Sequence, residues 1–452
     1  MNTKTNQKSS YVLPIAIMFA LFFMISFVTG LQNPFGVIVK NQFGASNAMS
    51  QLGNLANFLA YALMGIPSGI LLTRIGYKKT ALVAVTVGFV GVAVTFFSGQ
   101  AGSFIIYLIG ALVSGFSMCM LNAVVNPMLN TLGGGGNKGN QLIQFGGSIN
   151  SIGATIVPVL VGYLIGDVVQ NANIRDANPA LYLAMGIFAL AFIVLAASKI
   201  PEPRKLIVKG AAKVKDKYSA LSFRHFVLGT VAIFIYVGVE VGIPNIANLF
   251  MTATAGEGGL SISTTMAGTI VGTYWFLMLI GRLVGASIGG KISSKVMLIV
   301  ASSLGLIFVT LAIFVPLGIN VSMPVFRSDI SFGLVSVPIN IMFLILCGLC
   351  TSVMWGGIFN LAVEGLGKYT EMASGIFMVM VVGGGVLPYI QGLVADSAGF
   401  LSSFFVVMAG LAYLLYYALI GSKNVNTDIP VEDEDTDVPV EIATGSLPTE
   451  KK

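Results

Sequence analysis

Charge is scarce in this chain. Only 9% of its 452 residues are Asp, Glu, Lys or Arg and 56% are hydrophobic, where an ordinary soluble domain carries about 25% charged residues. A soluble globular fold is thereby excluded. Histidine is reduced to His225, which reads as an interfacial residue beside Arg224, and tryptophan to Trp275 and Trp355. No Ser/His/Asp, paired-carboxylate or metal-ligand constellation is visible, so neither an enzyme nor a bound metal or cofactor is expected. The three cysteines, Cys119, Cys347 and Cys350, lie inside apolar runs, which suits neither a disulfide framework nor a zinc site. Four consecutive glycines, Gly133 to Gly136, lack the Gly-Lys-Ser/Thr of a phosphate loop. Alternating ten-residue strands are missing as well, which excludes a β-barrel.

What remains is long apolar runs, and at about 20 residues per crossing they divide into twelve spans. The first six run from Val12 to Val39, Leu52 to Leu72, Ala81 to Phe97, Phe104 to Leu132, Gln141 to Ile165 and Leu181 to Ala197. The second six run from Val227 to Phe250, Met266 to Ile288, Val296 to Val315, Leu334 to Val363, Met372 to Ala395 and Phe404 to Ile420. The N-terminus, with Lys4 and Lys8, lacks a signal peptide's short apolar region and cleavage site, so the first span is expected to be retained.

Basic residues give the orientation. Even-numbered loops hold Arg74, Lys78, Lys79, Lys138, the run from Lys199 to Arg224, Lys291, Lys295 and Lys368, whereas odd-numbered loops hold only Lys40, Arg175 and Arg327. Because Lys and Arg concentrate in cytoplasmic loops, both termini are expected in the cytoplasm. The net charge of +6 is then a topology signal rather than a nucleic-acid footprint. Residues 1–198 and 223–421 form two six-helix halves, 199–222 a basic linker, and 422–452 an acidic tail expected to be disordered, with Asp428, Glu432 to Asp435, Asp437, Glu441 and Glu450.

The halves repeat. Gly65, Gly69 and Lys79 fall on Gly281, Gly285 and Lys295 at one offset; Asn126, Leu132 and Gly133 fall on Asn360, Leu366 and Gly367; and Gly153, Pro158 and Gly162 fall on Gly383, Pro388 and Gly392. Parallel six-helix repeats are what a transporter rocking two halves about a midplane site requires. The fold class is therefore an all-α integral membrane bundle of twelve helices in two repeats.

Few ionisable groups fall inside the spans, and each is costly there. Glu240, in the middle of the seventh span, is the one plainly mid-membrane acid. It is read either as the carrier of a proton or Na⁺, or as a carboxylate satisfied by Tyr236 one turn away or by Arg282 across helices. Arg282 and Glu364 lie at comparable depth toward the cytoplasm and form a candidate gate with Arg74, the alternatives being a static ion pair or a Glu364 that snorkels to the interface. Neutral amides form stripes at helical spacing: Gln51, Asn54 and Asn57; Asn122, Asn126 and Asn130; Gln141 and Gln144; Asn245 and Asn248. Amides match sugar hydroxyls without attracting counter-ions, and Trp355, Tyr274 or Trp275 would stack on a sugar ring. Taken singly, each amide has the alternative of an interhelical hydrogen bond. Asn33-Pro34 and Gly383 to Gly385 interrupt helices, as gating helices or close packing would need.

The segment GILLTRIGYKK, Gly69 to Lys79, resembles the major facilitator superfamily signature through Gly69, Arg74, Gly76, Lys78 and Lys79, with Thr73 where that family usually has Asp. NAVVNPMLNTLG (Asn122 to Gly133), INSIG (Ile149 to Gly153), GRLVG (Gly281 to Gly285) and GIFNLAVEGLG (Gly357 to Gly367) resemble its fucose:proton and glucose/galactose symporters. The resemblance spans essentially all twelve helices. It implies uptake of a monosaccharide across the inner membrane, driven by a cation gradient, and adds Asn33, Asn150 and Asn360 to the substrate-binding candidates Asn54, Asn57, Asn122, Asn126, Gln144, Asn245 and Trp355. Proton-coupled members carry an Asp late in the first span and a Glu in the fourth; Asn33 and Asn122 stand at those positions here, and neither titrates. The expected partners are a sugar, H⁺ or Na⁺ and membrane lipid, with no nucleic acid, and the chain is expected to be monomeric. An uncoupled facilitator of a sugar, or a carrier of a nucleoside or peptide, is the alternative.

Overall fold

The computed structural model describes residues 11–132, 136–165, 173–200, 218–288, 292–327 and 331–431. The linker core at 201–217 and the acidic tail at 432–452 lie outside those residues. In the first half, a first span built of two helices (Val12–Gly30 and Gln32–Phe43) leads through a short helix, Asn47–Ser50, to Leu52–Ile75, Tyr77–Ala101, Phe104–Leu132, Gly136–Ile165 and Asn178–Ala197. The second half comprises Arg224–Thr252, Thr264–Ile288, Ser294–Phe314, a tenth span of Ile339–Thr351 and Met354–Val363, an eleventh of Thr370–Met380 and Gly383–Ala398, and Phe400–Tyr416, which ends in a π turn at Tyr417–Gly421. Among the described residues, eleven spans are long and apolar enough to cross a bilayer by themselves; the apolar part of the fifth is Phe145–Val161.

Helices form because nothing in hydrocarbon can satisfy a free peptide group, so each backbone bonds within its own segment. Their outward faces carry bare apolar side chains such as Ile66, Ile105 and Phe314, 66–70% exposed, as lipid contact demands. The seventh span is the central one: 67% of its apolar window is buried, the largest share among the described spans.

The matched glycines of the two repeats do equivalent work. A side chain at Gly153 would collide with Ser26 of the first span, and one at Gly383 with the Phe234 carbonyl of the seventh. Absence of a Cβ thus lets the fifth span close on the first and the eleventh on the seventh. The interruptions fall beside the sequence signals. The first span breaks at Leu31, leaving Pro34 in the opening turn of the next helix, where its missing N–H is harmless. The eleventh breaks at Val381 and Val382, just before the glycine triplet, and the tenth at Ser352 and Val353.

Three expectations change. The tenth span begins at Ile339, not Leu334: β1 (Asn320–Phe326) and β2 (Phe332–Pro338) pair antiparallel, with Phe326 opposite Phe332 and Asn320 opposite Pro338. The β-branched alternation of Val335 and Val337 favours a strand, but the apolar run continues unbroken into the helix and hides the boundary. Phe326 fixes this hairpin to the eighth span, stacking on Phe276 at 5.5 Å while its N–H donates to Thr273 Oγ1. The tail does not leave the bundle at Ser422. Asn426 accepts the Arg224 N–H, Ile429 is buried, and Val431 packs on Gly367. His225 is fully buried rather than interfacial, its Nε2 2.9 Å from the Glu364 carbonyl.

A candidate transport pathway between two halves

The end of the bundle bearing Lys40, Glu257 and Asp396 is the distal end, and that bearing Arg74, His225 and Glu364 the proximal end. At the distal end the halves are tied by charge. Lys40 Nζ lies 3.2 Å from Glu257 and 5.6 Å above the Phe400 ring. Asp396, closing the eleventh span, accepts the backbone N–H groups of Asn47 and Ala48 on its two carboxylate oxygens, at 2.7 and 2.9 Å. Burial by itself would raise the Glu257 carboxyl, but hydrogen bonds from Thr254 N–H and from Lys40 outweigh it and hold the group below its ordinary range.

Inward from these ions the seam is lined by amides. Asn245 Nδ2 donates to Gln51 Oε1 at 3.1 Å, joining the seventh span to the second. Asn54 Nδ2 donates to the Gly384 carbonyl at 2.7 Å. The reason is local: the helical partner of that carbonyl would be the N–H of residue 388, and Pro388 has none. Pro244 frees the Glu240 carbonyl in the same way, and Tyr274 OH donates to it at 3.0 Å while contacting Thr351 Oγ1 at 3.1 Å. Tyr274 is thus a buried brace, not a stacking platform.

Mid-membrane, Arg282 bridges the halves. Its Nη2 lies 3.3 Å from Glu240 Oε1 in its own half, and its Nη1 donates across the seam to Ser151 Oγ at 2.7 Å and to the Gly147 carbonyl at 3.1 Å. The Arg282–Glu364 gate is therefore not formed in this arrangement. Glu364 is exposed at the proximal end, as is Arg74. In this arrangement the eighth span turns the guanidinium toward the seventh and fifth spans instead of the tenth.

The other candidates scatter around this centre. Asn57 is fully buried and donates to the Ala111 carbonyl, within its own half. Asn122 donates to Tyr61 OH and the Met118 carbonyl, Asn126 to the Asn122 carbonyl, and Asn150 to the Phe22 carbonyl. Trp355 leans on Tyr236 at 6.2 Å, one turn from Glu240. Asn360 is exposed and donates to Ser294 Oγ on the ninth span, within its own half. Asn33 and Gln144 lie on their helices, but their side chains are outside what the structure describes. Lys40, Glu257, Asp396 and Gln391 were missed by sequence reasoning. Asp396 and the Lys40/Glu257 pair sit in loops or at span ends, where a charge is unremarkable, and only the proline four residues after Gly384 could have flagged the Asn54 link.

A family model for the Major Facilitator Superfamily matches residues 18–387. The chain belongs to the Major Facilitator Superfamily. Within it, the glucose/galactose transporter of Brucella abortus biovar 1 (strain 9-941) is 29% identical over 426 residues, covering 94% of this chain and 98% of that protein. The L-fucose-proton symporter of Escherichia coli (strain K12) is 22% identical over 420 residues, covering 87% and 89%. The crystal structure of the superfamily transporter FucP in the outward conformation superposes with a TM-score of 0.63 at 19% identity, covering 92% of this chain and all of that one. The superfamily fold, a multi-pass membrane protein of two six-helix repeats, is thereby established, and the resemblance read from the fourth, fifth, eighth and tenth spans is borne out.

Proposed function

We propose that this transporter imports a neutral or N-acetylated monosaccharide across the inner membrane by alternating access, with uptake coupled to H⁺ or Na⁺ through Glu240. The distal end then faces outward and both termini lie in the cytoplasm, in accord with the excess of Lys and Arg on the proximal loops. The sugar class is supported by the similarity to the glucose/galactose and fucose-proton carriers and by a seam furnished with neutral amides instead of charges.

One observation carries the coupling: the ion pair of Glu240 with Arg282 shares its arginine with the opposite half. When Glu240 is ionised, its carboxylate competes with Ser151 and Gly147 for the guanidinium. When Glu240 takes a proton or Na⁺, that competition ends and Arg282 turns wholly to the fifth span, strengthening the contact between halves. A cation bound at one carboxylate so alters the relation of the two halves, which is what symport requires. Asn33 and Asn122 leave Glu240 to do this alone.

Uptake of labelled sugars into membrane vesicles under an imposed pH or Na⁺ gradient tests both parts. For one-to-one coupling a tenfold cation gradient drives about tenfold accumulation, and Glu240→Gln is expected to equilibrate the sugar without concentrating it. Wild-type uptake indifferent to both gradients removes the coupling, and undiminished accumulation by Glu240→Gln removes this residue from the role.

A further inference from the structure

The eleventh span presents two polar groups toward the seam that the distally closed arrangement treats differently. The Gly384 carbonyl, freed by Pro388, is taken by Asn54 of the opposite half. Gln391 lies two helical turns further on, seven residues away and so on the same face of the helix. It is 0% exposed, and neither its Oε1 nor its Nε2 has a hydrogen-bond partner among the described residues. No water fits on the side facing the seventh span, because even a Cβ on Gly242 would collide with Gln391 Oε1. Gly392, the next residue, packs against the Ala48 backbone of the short helix Asn47–Ser50 that leads into the second span, so Gln391 stands where that helix and the seventh and eleventh spans converge.

A buried primary amide with all its donors and acceptors idle is costly. An apolar residue of the same size would close this seam better, so closure does not explain the glutamine. Opening does. When the halves part, Asn54 withdraws from the Gly384 carbonyl and the short helix seated on Gly392 lifts away, and the eleventh span then exposes an acceptor and, about 10 Å along its axis, a combined donor and acceptor. Asn245 and Gln51, released from each other, flank them on the seventh and second spans. The array is uncharged and rich in both donors and acceptors, which suits a polyhydroxylated ring and offers nothing to a net charge.

We propose that Gln391 and the Gly384 carbonyl form an entry subsite for the sugar in the distally open state, distinct from the mid-membrane centre at Glu240 and Arg282. The subsite rests on the sugar-transport reading above. Its hydroxyl contacts replace the Asn54 link and satisfy the idle amide, so the solute stabilises the open form against the closed one. Closure strips Gln391 of partners again, which expels the solute inward.

Gln391→Met keeps the volume and removes the amide. Uptake of the transported sugar, identified from the wild-type panel, is measured in right-side-out and in inside-out vesicles. The expected result is a KM about three- to tenfold higher for entry from the distal side, the worth of one or two neutral hydrogen bonds, with less than a twofold change for entry from the proximal side. Equal shifts from both sides, or none, overturn the subsite while leaving sugar transport standing. Wild-type vesicles that take up no sugar overturn the transport reading and the subsite with it. A second measurement does not depend on turnover. The native cysteines Cys119, Cys347 and Cys350 are buried, so Gln391→Cys reports on its own position. A membrane-impermeant thiol reagent added from the distal side is expected to label it, and the transported sugar to slow that labelling. Absence of labelling, or labelling indifferent to the sugar, overturns the proposal.

Discussion

Asp396→Asn is expected to release the distal closure. The carboxylate receives two backbone N–H groups, from Asn47 at 2.7 Å and Ala48 at 2.9 Å. Hydrogen bonds to a charged group are worth about 1.5–3 kcal/mol each, but Asp396 is exposed, and solvent reduces each toward the neutral value of about 0.5–1.5 kcal/mol. Asparagine keeps one oxygen and replaces the other with an NH₂ that cannot accept from an N–H. One bond is lost outright and the other loses its charge, in all about 1–2 kcal/mol, or a factor of about 5–30 in the ratio of open to closed forms. Spin labels at Met49 and Ser397, both exposed and on opposite halves, report that ratio through their distance distribution. The variant should enlarge the long-distance population by that factor. A distribution unchanged within about twofold would show that the carboxylate caps a helix without holding the halves, and the assignment of Asp396 to the closure would fall.

The Lys40–Glu257 link should be indifferent to pH through the physiological range. Glu257 is held below its ordinary value, so its contribution is complete above the free carboxylate range near pH 4 and is lost only as pH falls through the lower, folded value. With Glu240→Gln removing the mid-membrane carboxylate, the same label pair should therefore give constant populations between about pH 5 and 8, and a transition in that window that Glu257→Gln abolishes would overturn this reading of Glu257. Gly383→Val drives a side chain into the Phe234 carbonyl and should destabilise the bundle by about 1–3 kcal/mol; Gly375→Ala, where nothing lies within 4 Å, is the neutral control, and thermal unfolding in detergent compares them. Tyr274→Phe leaves the carbonyl that Pro244 frees without its donor and should cost about 1–3 kcal/mol in the same assay, whereas an unchanged midpoint would mean that another donor takes over.

Sequence and structure agree where the physics is one-dimensional. Twelve crossings follow from run length alone, because a bilayer has a fixed thickness and an unpaired peptide group in it is prohibitive. The scarcity of charge isolated Glu240 and Arg282 for the same reason, and the repeat was legible through glycines whose missing side chains now prove to seat the fifth span on the first and the eleventh on the seventh. The hairpin after the ninth span escaped because hydrophobicity does not distinguish a strand running into a helix from a longer helix.

Partners were the province of tertiary structure. The sequence determined that Pro388 and Pro244 each leave one carbonyl without a helical donor, since that follows from four residues of one chain. It could not say that Asn54, 330 positions away, meets the first, or that Tyr274 meets the second. Depth along a span can be counted from its ends, which is why Arg282 and Glu364 looked like a pair. The angle at which a helix turns its side chains is set by the neighbours it packs against, and it directs Arg282 to Glu240, Gly147 and Ser151 instead. Depth is a property of one helix and can be read from its sequence; azimuth is a property of two, and only their packing fixes it.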